Sequence, residues 1–249
     1  MKHFVLALMT SALALPLAAQ AETVTYEVDG MAYEGYLATA TRDAKGLVIV
    51  IHDWDGLDEY EETRAEMLAD EGYHAFAVDL YGKGNRPDTT EGKKAQVGKL
   101  YNDRDAMRAR ILGGLEKARE LSGLSEAIVM GYCFGGGATL ELARSGQGDD
   151  VIGYATFHGS LGTPEGQDYS NTSAPLLILH GGADSGIPNS VAAGLADELE
   201  AAEVPYELVI YSGAPHAWTV FGSDRYVQEA DEKSWADFMT FVDMNFSAH

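Results

Sequence analysis

The chain has 249 residues, with 39 acidic and 17 basic side chains and a formal net charge of −22 at pH 7. This charge repels the backbone of a nucleic acid and an anionic lipid surface, so neither is expected as a partner. Cys133 is the single cysteine, which excludes an internal disulfide.

The first 21 residues have the pattern of a secretory signal peptide. A basic Lys2 precedes an apolar run that is short for a membrane span, and the run ends in Ala19-Gln20-Ala21, an A-x-A cleavage signature. An uncleaved N-terminal anchor is the alternative. We therefore expect residues 22–249 to form a single exported domain, periplasmic or secreted, with no membrane contact after cleavage.

Strand and helix signals alternate along the rest of the chain. Residues 22–38 predict a hairpin that turns at Asp29-Gly30. Further strands are predicted at 46–52, 74–80, 127–132, 151–159, 176–179 and 206–212, and helices at 59–70, between 93 and 121, from 134, at 189–202 and at 231–245. This alternation is typical of a twisted, mostly parallel sheet with helices on both faces.

The sequence GYCFGG, residues 131–136, places Cys133 between a predicted strand and a predicted helix. Its G-x-C-x-G spacing is that of a nucleophile elbow, a strained turn in which larger flanking side chains would collide. The N-terminus of the following helix stabilises a thiolate. An inert buried thiol is the alternative at this point. The patterns of a dinucleotide site and of a P-loop are missing.

A nucleophile needs a base, and the base needs an orienting carboxylate. Asp184, in HGGAD, follows the seventh predicted strand, and His216, in PHAW, follows the eighth. Both therefore lie at the carboxyl edge of the sheet, where ligands bind in such folds. The chain order Cys133, Asp184, His216 is the order of nucleophile, acid and base in α/β-hydrolases.

The other histidines are weaker candidates for the base. His158 is the main rival because it also follows a predicted strand, and His52 and His180 lie near strand ends as well. There is no H-E-x-x-H spacing, and the acidic segment HDWDGLDEYEE has its glycine and carboxylates in the wrong positions for a calcium loop. We expect no metal and no cofactor.

The segments GYCFGG, DLYGKGNRP, HGGAD and PHAW, taken in order, resemble the dienelactone hydrolase family, the cysteine branch of the α/β-hydrolases. The resemblance covers nearly all of the chain after residue 21. It implies an α/β-hydrolase fold without a large lid domain and a triad of Cys133, Asp184 and His216 acting on small esters or lactones. It also implies an oxyanion hole formed by the backbone amides of Trp54 and Phe134.

Other positions depart from the family pattern. Asp53 stands where the family has a glutamate close to the resting thiol, and capping of the next helix is its alternative role. Dienelactone-cleaving members hold a substrate carboxylate with two arginines. Here Lys83 takes the first position and no arginine follows His216, so cleavage of dienelactone itself is not expected. Lys83 is otherwise a solvated loop charge, and Trp218 lines the substrate pocket or covers the core.

These features predict a cysteine hydrolase of small carboxylic esters or lactones that works through a thioester. The alternative is an exported ligand-binding protein on a hydrolase scaffold, with the triad residues idle. A redox thiol is the weakest hypothesis because no second cysteine can resolve a sulfenic acid. The sequence leaves the oligomeric state open.

Overall fold

A computed structural model describes residues 20–248 of the chain. The strands are β1 (Gln20–Val28), β2 (Met31–Thr39), β3 (Leu47–Ile51), β4 (His74–Val78), β5 (Ala127–Tyr132), β6 (Val151–Phe157), β7 (Leu176–Gly181) and β8 (Tyr206–Tyr211). The helices are α1 (Glu59–Asp70), α2 (Thr90–Asn102), α3 (Arg104–Ser122), α4 (Phe134–Ser145), α5 (Asn189–Ala201) and α6 (Gln228–Ser247).

The strands form one eight-stranded sheet in the order β1-β2-β4-β3-β5-β6-β7-β8. β1 and β2 form the predicted antiparallel hairpin, β2 pairs antiparallel with β4, and the pairings from β4 through β8 are all parallel. The predicted mostly parallel sheet with an N-terminal hairpin is therefore confirmed. Its parallel part brings the carboxyl ends of β3, β5, β6, β7 and β8 to one edge.

Helices cover both faces of this sheet, as predicted. One apolar cluster joins it to α3, α4 and α5, and a second joins it to α1 and α6. β3 serves both clusters, since Ile49 faces the first and Val48 and Val50 face the second, and all five of its residues are buried. This explains why β3 is a continuous apolar run rather than an alternating one.

The helical zone predicted between residues 93 and 121 is divided into α2 and α3. Asp103 separates them, because its backbone is non-helical (φ −130°, ψ 79°) and its side chain accepts a hydrogen bond from the amide of Ala106. An aspartate that caps a helix offers the chain an alternative to continued helix. The gap in the apolar pattern between Leu100 and Met107 coincides with this break.

The resemblance predicts a fold without a large lid domain. The connection from β6 to β7, residues 158–175, contains neither helix nor strand, so no large lid is built there.

Most of the predicted signal peptide lies outside the described residues, and Gln20 and Ala21 begin β1. Between residues 20 and 248, no helix has both the length and the apolar character needed to cross a membrane.

Candidate active site

Cys133 occupies the sharp turn between β5 and α4. Its backbone has φ 50° and ψ −109°, a left-handed conformation that is uncommon for a residue with a side chain. The turn is fixed by the Cys133 amide, which donates to the carbonyl of Phe157 at 3.0 Å, and by its carbonyl, which accepts from Gly137 at 3.2 Å. Such strain in an over-determined backbone is common where a side chain must be presented to a ligand.

The flanking glycines are required by close backbone contacts. A Cβ on Gly131 would lie 2.3 Å from the carbonyl oxygen of Gly135. A Cβ on Gly135 would lie 2.3 Å from the carbonyl oxygen of Ile51 and 2.5 Å from that of His52. Because these are main-chain atoms, no side chain could move aside. A side chain at either position would therefore collide with the main chain, as expected for a nucleophile elbow.

The three residues of the predicted triad come together at the carboxyl edge of the sheet. His216 Nε2 lies 3.1 Å from Cys133 Sγ, and His216 Nδ1 lies 2.7 Å from Asp184 Oδ2. A carboxylate only accepts hydrogen bonds, so Nδ1 donates to Asp184, and Nε2 is the ring nitrogen that can accept the thiol proton. The thiol proton thus has an acceptor in place.

Asp184 is fixed by the turn that follows β7. Its Oδ1 accepts hydrogen bonds from the amides of Gly186 and Ile187, each at 2.9 Å, while Oδ2 is left for the histidine. The amide of Ala183 donates to the carbonyl of Ala214 at 2.9 Å, which ties this turn to the loop that carries His216. The acid and the histidine are therefore positioned by one joined pair of loops.

The surroundings of the thiol favour its protonated form. Burial, followed by the negative charge of Asp53, raises the pKa of Cys133 to about 12. The backbone amide of Phe134, at the start of α4, counteracts this by donating toward the sulfur. Such an amide belongs to the first turn of a helix and has no partner within the helix. It is one of the two donors predicted to stabilise an oxyanion. Trp54, which would supply the other, lines the same cavity as Cys133 and Phe134.

Comparison with known proteins identifies the family of this chain. The model of the dienelactone hydrolase family matches residues 33–246. The chain belongs to the dienelactone hydrolase family. It is therefore an ester or lactone hydrolase of the dienelactone hydrolase kind.

Relatives match over most of the chain. A Saccharolobus solfataricus protein named as a carboxymethylenebutenolidase is 28% identical over 258 residues, covering 88% of this chain and 96% of that protein. The structure of a dienelactone hydrolase-like promiscuous phosphotriesterase from metagenomic libraries has a TM-score of 0.83 at 24% identity, covering 92% and 99% of the two chains. That of the Anabaena variabilis dienelactone hydrolase has a TM-score of 0.64 at 20% identity, covering 90% and 98%. Both structures share the fold.

Asp53 is buried, and its negative charge acts on the thiol of Cys133. Its side chain accepts a hydrogen bond from the amide of Asp55 at 2.8 Å, and burial raises its pKa to about 7. The alternative role, capping of α1, is wrong, because Asp58 caps that helix together with Glu61.

Two buried groups hold the segment that contains Asp53 and Trp54. Glu61 accepts from the amides of Asp53 at 3.1 Å and Asp58 at 3.2 Å. His52 Nε2 accepts from the amide of Leu80 at 3.1 Å, so its Nδ1 is protonated and donates to the Asp53 carbonyl at 2.6 Å. Burial lowers the pKa of His52 to about 4, and the ring is neutral. His52 therefore shapes the site and does not serve as its base.

Among the described hydrogen bonds, the contact with Cys133 Sγ is made by His216 and not by His158 or His180. His158 is fully buried, its Nε2 lies 2.7 Å from Thr219 Oγ1, and burial lowers its pKa well below the usual value. Its ring centroid lies 5.3 Å from that of His216, so it is a neighbour of the candidate base. His180 lies within β7 and is also fully buried.

The two predicted substrate-binding side chains are not brought to the cavity. Lys83 Nζ lies 3.0 Å from Glu34 and 3.1 Å from Thr25 Oγ1, on the β1–β2 hairpin. Trp218 has no exposed surface and packs between His158 and Tyr211, with ring centroids at 5.0 and 5.5 Å. The prediction that Trp218 lines the pocket is wrong, because core packing encloses its indole.

The sequence did not predict the part of the cavity wall that α2 provides. A cavity of about 240 Å³ lies beside Cys133, and one side of it is formed by α2. The residues that line it are Trp54, Lys94, Val97, Gly98, Tyr101, Cys133, Phe134 and Ser160. No sequence motif marks the α2 residues as part of a site. In the sequence, α2 and α3 form one predicted helical zone, which the structure divides at Asp103. Within residues 20–248, no group of three or more His, Cys, Asp or Glu side chains could hold a metal ion.

Proposed function

We propose that this protein hydrolyses small carboxylic esters or lactones through nucleophilic attack by Cys133, with a covalent thioester intermediate. The observation that supports this most strongly is the continuous set of contacts from Cys133 Sγ to His216 Nε2, at 3.1 Å, and from His216 Nδ1 to Asp184, at 2.7 Å. Nucleophile, base and orienting acid within hydrogen-bond reach are what covalent acyl transfer requires.

In the first half-reaction, His216 accepts the thiol proton as Cys133 Sγ bonds to the substrate carbonyl carbon. The carbonyl oxygen becomes an oxyanion, held by the amides of Phe134 and Trp54, each worth about 3 kcal/mol in comparable sites. The carbonyl re-forms, the carbon–oxygen bond to the alcohol breaks, and the proton on His216 passes to the departing alkoxide. Asp184 stabilises the transient imidazolium.

In the second half-reaction, His216 removes a proton from water as the water oxygen attacks the thioester carbonyl. The same two amides hold the second oxyanion. The carbon–sulfur bond then breaks, Cys133 recovers a proton from His216, and the carboxylic acid leaves. Because the thiol has a raised pKa, the thiolate forms only as the proton moves to His216.

The test is turnover of 4-nitrophenyl acetate by the wild-type protein and by Cys133→Ala and Cys133→Ser variants. We expect Cys133→Ala to abolish turnover with an unchanged circular dichroism spectrum. Acid-quenched wild-type protein should carry one acetyl group, located on Cys133 by peptide mass spectrometry. Full turnover by Cys133→Ala, or an acetyl group on another residue, would refute the mechanism. Absence of turnover on a panel of esters and lactones would favour the binding-protein alternative.

We further propose that the protein is exported after removal of residues 1–21, on the strength of the apolar run and the Ala19-Gln20-Ala21 sequence. N-terminal mass analysis of the protein recovered from a periplasmic fraction should find Glu22 as the first residue. An intact N-terminus in the cytoplasmic fraction would contradict this.

A further inference from the structure

The cavity beside Cys133 is bounded mainly by uncharged side chains. Its volume is about 240 Å³, enough for a short acyl chain or a single ring. Trp54, Phe134 and Tyr101 supply aromatic surface, and Val97 and Gly98 of α2 close the opposite side. The ring centroids of Tyr101 and Phe134 are 5.5 Å apart, edge to face.

The charged groups that act on the thiol are negative. Asp53, Asp55 and Asp184 all raise the pKa of Cys133 in addition to burial. Lys93, a cation that acts on Asp53, is already engaged, because its Nζ pairs with Asp55 at 2.5 Å. A carboxylate on the acyl part of a substrate would add to this negative set.

Cations that could neutralise a substrate carboxylate are poorly placed. Lys83 is turned to the β1–β2 hairpin, where it pairs with Glu34 at 3.0 Å. Lys94 lines the cavity, but it is an exposed residue, so water screens its charge. An exposed cation of this kind contributes little to an ion pair, because solvent and salt screen it. Desolvation of a carboxylate in an apolar cavity costs several times more.

We propose that the site selects esters and lactones whose acyl part is small, uncharged and largely apolar, and that it discriminates against acyl parts that carry a carboxylate. This inference rests on the proposed hydrolase function. The uncharged wall of Trp54, Val97 and Phe134 and the carboxylates around Cys133 together produce the discrimination.

The test compares 4-nitrophenyl hexanoate with the mono-4-nitrophenyl ester of adipic acid at pH 8. Both have a six-carbon acyl chain and the same leaving group, and they differ in a terminal methyl or carboxylate. After subtraction of the uncatalysed rates, kcat/KM should be at least about tenfold higher for the hexanoate. Equal values, or preference for the adipate ester, would overturn the inference while leaving the hydrolase function intact. If 4-nitrophenyl acetate is cleaved but neither six-carbon ester is, the inference fails and the hydrolase function stands. If none of the three esters is cleaved, the proposed function itself fails.

A matched pair of variants tests whether charge is the cause. Val97→Lys places an ammonium group on the cavity wall, and Val97→Met places an uncharged side chain of similar length there. We expect the ratio of hexanoate to adipate kcat/KM to be about tenfold smaller in Val97→Lys than in Val97→Met. Both variants should retain the wild-type circular dichroism spectrum. Equal ratios in two folded variants would show that charge does not set the preference.

Discussion

The guanidinium of Arg64 donates a 2.9 Å hydrogen bond to the carbonyl oxygen of Thr219 and so ties α1 to the loop that carries His216. Arg64 is 1% exposed, and it also pairs with Asp231 of α6. The ring of Phe221 lies over the guanidinium, with the centroid 4.2 Å away. One buried cation therefore joins two helices and the histidine loop.

Replacing Arg64 by Met should strongly destabilise the protein, because Asp231 would keep a buried carboxylate without its cation. Breaking a buried pair by removing one partner costs about 3–5 kcal/mol. The free energy of unfolding in urea measures this. Lys45→Met is the control, since the Lys45–Asp243 pair has side chains 54% and 57% exposed, and it should cost less than about 1 kcal/mol. Equal losses of unfolding free energy in Arg64→Met and Lys45→Met would show that burial does not make the Arg64–Asp231 pair more important for stability.

Thr219→Val should lower kcat with little effect on KM. Thr219 Oγ1 lies 2.7 Å from His158 Nε2 and 2.6 Å from Tyr60 OH. Valine therefore leaves Nε2 of the fully buried His158 without this partner and removes one partner of the Tyr60 hydroxyl, next to the loop of His216. We expect a loss of about 1–3 kcal/mol in stability. Displacement of the imidazole should reduce kcat roughly tenfold or more. Steady-state kinetics on 4-nitrophenyl acetate measures both parameters.

Tyr60→Phe is the control for that variant, because it removes one partner and leaves the bond between Thr219 and His158. Its kcat should lie between those of the wild type and of Thr219→Val. A Thr219→Val enzyme that is less stable but has an unchanged kcat would show that Thr219 is structural only and does not position His216.

Much of the fold could be predicted because its signals are local. The strands β3 and β5 are short apolar runs between turn signals, and the glycines around Cys133 mark a turn that only a few functions require. Cys133, Asp184 and His216 each follow a predicted strand. The carboxyl ends of parallel strands lie at one edge of the sheet, so the sequence predicts that the three residues meet there. These statements need no knowledge of long-range packing.

The remaining features depend on contacts between distant segments. Arg64 and Asp231 are 167 positions apart, and nothing in α1 or α6 alone indicates that a charged pair is buried there. Trp218 could equally have faced a pocket, and only the packing of His158 and Tyr211 around it decides otherwise. The orientation of Lys83 likewise depends on Glu34, on a different strand.

Gly135→Ala should prevent formation of the native elbow, because the new Cβ would meet the main-chain carbonyl oxygens of Ile51 and His52 at 2.3 and 2.5 Å. We expect a loss of more than about 4 kcal/mol or insoluble protein. Gly194→Ala in α5 is the matched control, since no atom lies within 4 Å of its Cβ, and it should gain about 0.5–1 kcal/mol. The thermal unfolding temperatures of the two variants are compared. A Gly135→Ala variant as stable as Gly194→Ala would show that the added methyl group does not collide with the main chain.

Asp53→Asn should make the thiol more reactive, and only above about pH 7. The pKa of Asp53 is about 7, so its carboxylate is ionised above that pH, and its charge then raises the pKa of Cys133. Asparagine removes this charge, which lowers the thiol pKa and increases the thiolate fraction. Below pH 7 the wild-type carboxyl is protonated, and the two proteins should behave alike.

The rate of alkylation of Cys133 by iodoacetamide between pH 5.5 and 9 measures this difference. Glu120→Gln is the control, because Glu120 is exposed on α3 and pairs with Lys117, and its profile should follow the wild type. A faster rate for Asp53→Asn at high pH means that the carboxylate keeps the resting thiol protonated until substrate arrives. A slower rate would contradict this and would mean that Asp53 helps to remove the thiol proton, because a carboxylate that serves as a base increases thiolate formation instead of suppressing it.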